Sequence, residues 1–497
     1  ATDVDSSAVT DSLTVTTEGS TGLTITAGTD ATTVTSLGIT AGGEAVTVNA
    51  VNAAADKTLT LLGTSNFTVT NLKASLSNTA SGLIDVTLAD ASVGSASSNS
   101  ISSTQAITIN ADAAEAADTV TVIGGGHFTV NNLAATLNAA SATGAVTATT
   151  DADASLSVTL GTGAGGNQTV ISSGTGTITV EATNQSASDI VLSGSSTFDV
   201  NNVASGVDVD ASLTSGLVDI DTDTNATLTV TSGTGATGNT KVTSDGTGTI
   251  TVNAAQQASN DVVLVGSSAF NVTNVAHGVD VDASSTSDAV GVSTDNLVSG
   301  NALTVTAGSG NLTVGTGSSN GGATMTVAAA NMATSDTLSL SGGAGFQVNG
   351  ITVDDLTVAA TTNGIVVVDA TDLVSTETLN LSGSSTFDVN NVGDGVDVDA
   401  SLSTGLVDLA TDADASLTVT SGSGAFGNTK VTSNGTGTIT VNAAEQSSND
   451  VLLVGSSAFT VTGVASGVDV NASAATDTVS VTTDALASGN ALAVTTG

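Results

Sequence analysis

Hydrophobic and polar residues alternate along this chain in short segments, which is the pattern of β-strands with one buried face. In TITVNA (249–254), for example, Ile and Val fall on one face and the Thr residues on the other. Such segments recur about every ten residues and are separated by Gly, Asn, Ser and Asp. Only the Ala-rich connections, such as NADAAEAAD (110–118), predict a helical turn. We therefore predict an all-β chain.

Seven copies of a larger unit follow one another. Each begins with an alternating strand and runs through an acidic residue, a second strand and a Gly-rich turn to the motif Phe-x-Val-x-Asn/Gly. In the repeat 177–248 we count seven strands: TITV, IVLS, FDV, VDVD, LVDID, LTVT and KVTS. Such self-similarity indicates a repeat architecture. We place a partial repeat at 1–45, then repeats at 46–106, 107–176, 177–248, 249–323, 324–364 (a short one), 365–437 and 438–497.

A longer block of sequence, spanning more than one of these repeats, is also duplicated. GSSTFDVNNVASGVDVDAS (194–212) returns almost unchanged as GSSTFDVNNVGDGVDVDAS (383–401), and Lys241 returns at the same separation as Lys430. The motif phenylalanines are predicted to be core residues, because each is in phase with the Val two positions later. They are Phe67, Phe128, Phe198, Phe270, Phe346, Phe387 and Phe459.

Two all-β folds fit these repeats: a parallel β-solenoid and tandem β-sandwich domains. A sandwich core is about 10 Å thick, and aromatic residues normally help to fill it, yet the chain has 8 Phe and no Trp or Tyr. A solenoid has a narrower core and accepts insertions at its loops. Insertions of that kind account for the unequal spacing of the motif phenylalanines, which is longest from Phe270 to Phe346 and shortest from Phe346 to Phe387. We predict the β-solenoid, with tandem sandwiches as the alternative.

The composition excludes several classes of protein. A hydrophobic content of 39% and a mean hydropathy of +0.31 argue against disorder, and the absence of Pro suits a chain of hydrogen-bonded strands. A net charge of −42 disfavours nucleic acid and anionic membranes as partners. No apolar run approaches the roughly 18 residues of a membrane span, so we predict no membrane insertion. No signal peptide is visible in ATDVDSSAVT, and the last residues, ALAVTTG, favour a segment of a longer chain with uncapped ends.

Two sets of carboxylates are candidate calcium ligands. The first set precedes each motif Phe at nearly the same distance in every copy and comprises Asp56, Asp118, Asp189, Asp261, Asp336, Glu377 and Asp450. These side chains could accept backbone N–H groups in a turn or bind calcium between adjacent coils, since calcium takes six to eight oxygens. The second set lies in the VDVD runs and comprises Asp208, Asp210, Asp280, Asp282, Asp397 and Asp399. Carboxylates two apart on a strand repel one another, so calcium or diffuse counterions must screen them.

Enzyme motifs lack their structural context here. GTGAGG (161–166) fits G-x-G-x-x-G but opens no βαβ unit, and GSSNG (317–321) has no strand–elbow–helix context. His127 and His277 have no catalytic partners in the sequence and are predicted to lie in surface loops. A β-helical polysaccharide lyase would need Arg, Trp or Tyr, and the chain has none of them. We therefore predict that the protein is not an enzyme.

The strand–turn segments TLNLSGSSTFDVNNV and TITVNAAEQSSNDVLLVGSSAF resemble repeat regions of bacterial secreted surface proteins, namely surface-layer proteins and large adhesins exported by type I secretion. The resemblance implies an extracellular location, self-assembly and calcium dependence. It favours a structural subunit of a surface layer or matrix filament, with itself and a cell-surface polysaccharide as candidate partners. An adhesin stalk is the alternative. An ice-binding solenoid is a remote third possibility, because Thr-x-Thr pairs recur but are mixed with Asp, Ser and Asn.

Overall fold

The chain folds entirely into β-strands and turns. The structure, a computed structural model, describes residues 3–17, 22–36, 45–89, 98–294, 297–318, 322–423, 425, 427–447, 449–484 and 492–497. It comprises two compact units, Ala1–Ile250 and Thr251–Gly497. Within the described ranges there is no helix, and NADAAEAAD (110–118) forms turns between two strands. No helix of the length and apolarity that a membrane span requires is therefore found among these residues.

The first unit contains two sheets. The strands of its first sheet are β1 (Val4–Asp5), β3 (Thr24–Thr26), β5 (Val46–Asn49), β7 (Phe67–Leu72), β9 (Ile84–Leu88), β11 (Ile107–Asn110), β13 (Phe128–Leu133), β15 (Val146–Thr150), β17 (Gln168–Ile171), β19 (Ile190–Gly194), β21 (Val209–Thr214) and β23 (Leu228–Thr231). Those of its second sheet are β2 (Leu13–Thr17), β4 (Thr32–Ser36), β6 (Thr58–Gly63), β8 (Ser75–Asn78), β10 (Ser98–Ser103), β12 (Thr119–Gly124), β14 (Thr136–Ala142), β16 (Leu156–Thr159), β18 (Thr177–Glu181), β20 (Thr197–Val203), β22 (Val218–Thr222) and β24 (Thr240–Thr243). The boundary between the units falls within β25 (Thr249–Asn253).

The second unit also contains two sheets. The odd-numbered strands of one sheet are β27 (Ala269–Val275), β29 (Val290–Thr294), β31 (Leu312–Thr316), β33 (Thr337–Gly342), β35 (Leu356–Thr362), β37 (Thr378–Gly383), β39 (Asp397–Ser403), β41 (Leu417–Thr420), β43 (Thr438–Asn442), β45 (Ala458–Val464) and β47 (Val479–Thr483). The even-numbered strands of the other sheet are β26 (Val262–Gly266), β28 (Val281–Thr286), β30 (Gly300–Thr306), β32 (Ala323–Ala328), β34 (Gly345–Asn349), β36 (Ile365–Asp369), β38 (Thr386–Val392), β40 (Val407–Thr411), β42 (Thr429–Thr432), β44 (Val451–Gly455), β46 (Val470–Ala475) and β48 (Val494–Thr496).

Every strand within a unit pairs in parallel with the strand two places further along the chain. Val146 of β15 pairs with Gln168 of β17, and Gln168 pairs with Ile190 of β19, so that both steps advance the chain by the same length. One strand from each sheet therefore makes one coil, and successive coils stack along the sheets. This is a parallel β-solenoid, which confirms the predicted fold. Tandem sandwiches are excluded, because their sheets are built from antiparallel strands.

The core lies between the two sheets and is filled mainly by Val, Ile, Leu and Ala. All seven motif phenylalanines are 0–2% exposed, which confirms their prediction as core residues. In the second unit, for example, Phe387 pairs in register with Val366 on one side and Val407 on the other. Polar side chains are buried at some corners, where hydroxyl groups join coils: Ser172 lies 2.7 Å from Thr150 and 2.8 Å from Ser196, measured between Oγ and Oγ1 atoms.

The fourth residue after each motif Phe adopts a left-handed backbone conformation. Its φ lies between 54° and 72°, and the residue is Asn in five copies and Gly in two. Asn and Gly are the residues that tolerate this conformation, because Asn bonds locally and Gly has no Cβ. The positions are Asn71, Asn132, Asn202, Asn274, Gly350, Asn391 and Gly463. Where the residue is Asn, its side-chain amide donates to a side-chain oxygen of the preceding coil, as from Asn132 to Asn110 at 3.0 Å.

The repeat 177–248 does not contain a whole number of coils. The seven strands predicted in it are β18 to β24, which is three and a half coils. A motif Phe therefore changes sheets from one repeat of this kind to the next. In the first unit Phe128 lies in β13 of the first sheet, whereas Phe198 lies in β20 of the second.

Candidate functional site

The second aspartate of each VDVD run caps an irregularity in its own strand. The Oδ1 atoms of Asp210, Asp282 and Asp399 each accept the N–H of the residue two positions later, at 2.9 Å. The pairing register shifts at each of these points, and the carboxylate satisfies an N–H that the regular ladder leaves free. Two asparagines occupy the same position elsewhere, Asn138 and Asn471, and each accepts the same N–H at 3.1 Å. The cap therefore works without a charge.

The first aspartate of each run joins two coils. The Oδ1 atom of Asp208 accepts the backbone N–H of Thr229, in the next coil, at 2.7 Å. The equivalent contacts are Thr304 to Asp280 at 2.6 Å, Thr418 to Asp397 at 2.7 Å and Ala493 to Asp469 at 2.7 Å. Sequence reasoning missed Asp469, because its run reads VDVN rather than VDVD. The shared VDV was the signal that could have found it.

The acidic residues that precede the motif Phe fall into three groups. Asp118, Asp336 and Glu377 each accept the N–H of the residue three positions earlier, at 2.9, 2.7 and 2.6 Å, which is the bonding of the turn alternative. Asp56 instead forms an ion pair with Lys57 at 3.4 Å. The third group is contacted through its backbone: the N–H groups of Asp189 and Asp450 donate to Asn167 and Asn428 at 3.2 and 3.0 Å, and the carbonyl oxygen of Asp261 accepts from Gln257 at 3.5 Å.

The structure places three members of the first acidic set beside the first aspartate of a VDV run in the next coil. Because Ile190 pairs in register with Val209, Asp189 and Asp208 are neighbours on adjacent coils. The registers of Val262 with Val281 and of Val451 with Val470 likewise place Asp261 beside Asp280 and Asp450 beside Asp469. Each pair supplies two carboxylates between coils, and one carboxylate oxygen of Asp208, Asp280 and Asp469 already accepts an N–H. Across the described ranges, no three acidic or histidine side chains are arranged to hold a metal ion. Calcium binding stays a prediction.

A charged row recurs in both copies of the duplicated block. Asp199, Asp219 and Lys241 lie in register on β20, β22 and β24. Lys241 Nζ contacts Asp219 Oδ2 at 2.9 Å, and Lys430 repeats the contact with Asp408 at 2.8 Å. Partial burial, reinforced by the charge of Asp219, raises the pKa of Asp199 above its ordinary value. The two lysines therefore compensate part of a repulsive acidic row. The sequence signal was the equal separation of Asp and Lys in both copies.

No protein-family model, no curated protein and no solved structure matches this chain. The functional argument therefore rests on its own geometry. His127 and His277 are exposed outside the strands, which confirms their predicted loop positions. GTGAGG (161–166) lies between β16 and β17, and GSSNG (317–321) lies partly outside the described residues. That the protein is not an enzyme stays a prediction.

Replacing Asp210 tests whether the VDVD charge matters. We expect Asp210→Ala to lower the free energy of unfolding by about 1 kcal/mol, since it leaves the N–H of Ser212 without its acceptor. Asp210→Asn should cost less than about 0.5 kcal/mol, because Asn138 and Asn471 make the same bond. Urea unfolding of the two variants checks this. An Asn variant as unstable as the Ala variant would show that the carboxylate charge itself is required.

Acid should also weaken the contacts of two other aspartates, Asp153 and Asp414, with threonines of the next coil. The backbone N–H of Thr175, and then its hydroxyl, hold the pKa of Asp153 below the ordinary 3.8, and Thr436 acts in the same way on Asp414. A carboxylate whose pKa is lowered on folding stabilises the native state above its unfolded pKa, and this stability is lost as the pH falls through the folded pKa. Asn225 makes the same contacts to Thr247 without a charge.

We therefore expect Asp153→Asn to unfold at a similar urea concentration at neutral pH but to lose less stability than the wild type below pH 3.8. Urea midpoints across this range give the measurement. Identical pH profiles for the two proteins would contradict the assignment.

Proposed function

We propose that this chain is a structural, self-associating extracellular protein, a subunit of a surface layer or matrix filament. The observation that supports this proposal is that the distinctive residues of the repeats make hydrogen bonds and ion pairs between coils. The side chains that stand out in the sequence, among them Asp208, Lys241 and Asn202, join neighbouring coils. The duplicated block repeats such contacts: Asp397 with Thr418, and Lys430 with Asp408. Because these residues hold coils together, they favour a structural function for a repetitive, internally bonded body.

The extracellular location rests on the resemblance to secreted repeat proteins and on the acidic, cysteine-free composition. A net charge of −42 keeps such a surface hydrated and attracts cations. Calcium stabilisation belongs to the same proposal, with the Asp189–Asp208 type of pair as the place where a shared cation relieves repulsion between coils. A cell-surface polysaccharide remains a candidate partner on the same resemblance.

Electron microscopy of the purified chain, with calcium and after chelation, tests the proposal. Ordered sheets or filaments are expected, and their dissolution on chelation would support calcium as well. Assemblies that are indifferent to chelation would keep the structural role and remove calcium from it. Single rods in both conditions would favour the alternative, a stalk that spaces a binding domain from a cell.

A further inference from the structure

One face of the first unit carries almost no charge. Residues that point outward at the same level of β3, β5, β7, β9, β11, β13, β15 and β17 form one in-register column. From the first strand to the last, the column reads Thr24, Thr47, Thr68, Asp85, Thr108, Thr129, Thr147 and Thr169. None of these side chains is buried. We call this outer surface of the eight strands the threonine face.

Asp85 is the one charged residue in these eight strands, all of which the structure describes. The second-sheet strands of the same coils, the even-numbered strands from β2 to β16, also contain no Asp, Glu or Lys. Further along that sheet, β18, β20, β22 and β24 contain Glu181, Asp199, Asp219 and Asp221 against Lys241. A chain of net charge −42 repels its own copies over most of its surface. Two copies can approach closely only where both are nearly neutral, and the threonine face meets that condition.

The threonine face also offers an apolar contact. Leu83 directly precedes β9 and is 68% exposed. It borders a groove of about 320 Å³ that continues past Asp85 and His127 to Thr129 and Thr147. An exposed leucine that borders a groove allows a self-complementary contact under a two-fold rotation, since each copy can place its leucine in the groove of the other.

The size of the threonine face is sufficient for a specific contact. Eight strands about 4.8 Å apart, each with about four or five residues rising about 3.3 Å, cover roughly 500 Å². Two such faces bury about 1,000 Å², which is the lower limit of a specific protein–protein interface. β-Branched threonines lose little side-chain freedom on contact, because their χ1 angles are already restricted. A second copy of this chain is therefore a physically adequate occupant.

We propose that two copies of this chain associate through their threonine faces, in a two-fold contact with Leu83 and the adjoining groove at its centre. This inference rests on the proposed self-assembly and names the surface that carries it. Asp85, which lines the groove, is the one charge in the strands of the face. The other strand residues are uncharged and let the faces approach, Leu83 supplies the central apolar contact, and the threonines supply a flat surround.

Two substitutions of the same kind separate this face from the rest of the surface. Leu83→Asp replaces the central apolar side chain with a second negative charge beside Asp85. Leu213→Asp introduces the same charge at a leucine that is 69% exposed on β21, outside the face. Because both side chains are exposed, both variants are expected to fold, which circular dichroism checks. By analytical ultracentrifugation, Leu83→Asp should weaken self-association about tenfold or more, since central apolar contacts dominate interfaces, and Leu213→Asp should leave it unchanged.

Cysteine cross-linking gives a second readout, because the chain has no cysteine of its own. Thr129→Cys should give a covalent dimer with a short bifunctional maleimide, whereas Thr179→Cys, on β18 of the other sheet, should not. Assembly of the wild type with no effect of Leu83→Asp, or with equal effects of both aspartates, would overturn this face and leave the proposed function standing. A wild type that stays monomeric would overturn both. A monomer that arrests the growth of ice crystals, with loss of this activity in Leu83→Asp, would assign the face to ice instead.

Discussion

Phe387→Ala is expected to lower the free energy of unfolding by about 3–5 kcal/mol, the usual cost of deleting a fully buried aromatic side chain. Phe387 is 0% exposed and lies in register between Val366 and Val407. The aliphatic side chains around Phe387 cannot move far into the cavity that the substitution leaves, because the hydrogen-bonded strands of all the remaining coils hold the two sheets apart. The cavity therefore persists.

The position of the loss within the unit is also predictable. Each coil contacts only its neighbours, so stability adds up coil by coil. Hydrogen exchange should accelerate in β36, β38 and β40 and remain close to that of the wild type in strands several coils away. Leu402→Ala is the control, since Leu402 is 74% exposed and should change stability by less than about 0.5 kcal/mol. Uniform acceleration throughout the second unit would show that it unfolds as one cooperative body.

Gly437→Ala is expected to destabilise the second unit by about 3 kcal/mol, at the upper end of the usual cost of overpacking. A Cβ at Gly437 would lie 2.0 Å from the carbonyl oxygen of Ala415 in the preceding coil. The obstructing atom is backbone, so no rotamer change can relieve the contact and the two coils must separate locally. Gly176 and Gly248 occupy the same position in the first unit, each 1.8 Å from a carbonyl oxygen when a Cβ is added.

Gly393→Ala is the matched control for this prediction. Its added Cβ would meet nothing closer than 3.9 Å, and the duplicated block has Ala204 at the equivalent position. We expect it to be neutral or to stabilise the protein by up to about 1 kcal/mol, because alanine restricts the unfolded chain. Thermal and urea unfolding of the two glycine variants measure the difference. Equal stability of both variants would contradict a steric role for Gly437.

The local structure could be predicted from the sequence because its signals are local. Alternation in TITV depends only on neighbouring residues, and the buried Phe and Val of each motif follow from that alternation. The pairing of Asp189 with Asp208 depends instead on the register between β19 and β21. Register is set by the whole stack, and a strand such as TITV suits either sheet. The acidic pairs therefore could not be found from spacing alone.

Two features that the sequence analysis missed, the capped bulge and the left-handed residue after each motif Phe, are nevertheless visible as amino-acid differences between the repeats. Asn138 and Asn471 stand where other copies have aspartate, which indicates that the bulge position needs an acceptor rather than a charge. The alternation of Asn202 with Gly463 at one motif position likewise indicates a left-handed backbone. The exchange of Asp with Asn shows that the bulge position needs a hydrogen-bond acceptor, and the exchange of Asn with Gly shows that the other position needs a residue that tolerates a positive φ.

The half-coil left over in a repeat such as 177–248 has a consequence for how such a chain can lengthen. Removal of 365–437, a repeat of the same kind, deletes the seven strands β36 to β42. Every later strand of the second unit would then exchange sheets, and the outward residues would be regrouped into different columns. The duplicated block avoids this rearrangement, since Phe198 lies in β20 and Phe387 in β38, an even number of strands apart. Recombination between single repeats therefore scrambles the surface while sparing the core. Only crossovers between repeats an even number of strands apart add length without altering the pattern that a partner meets.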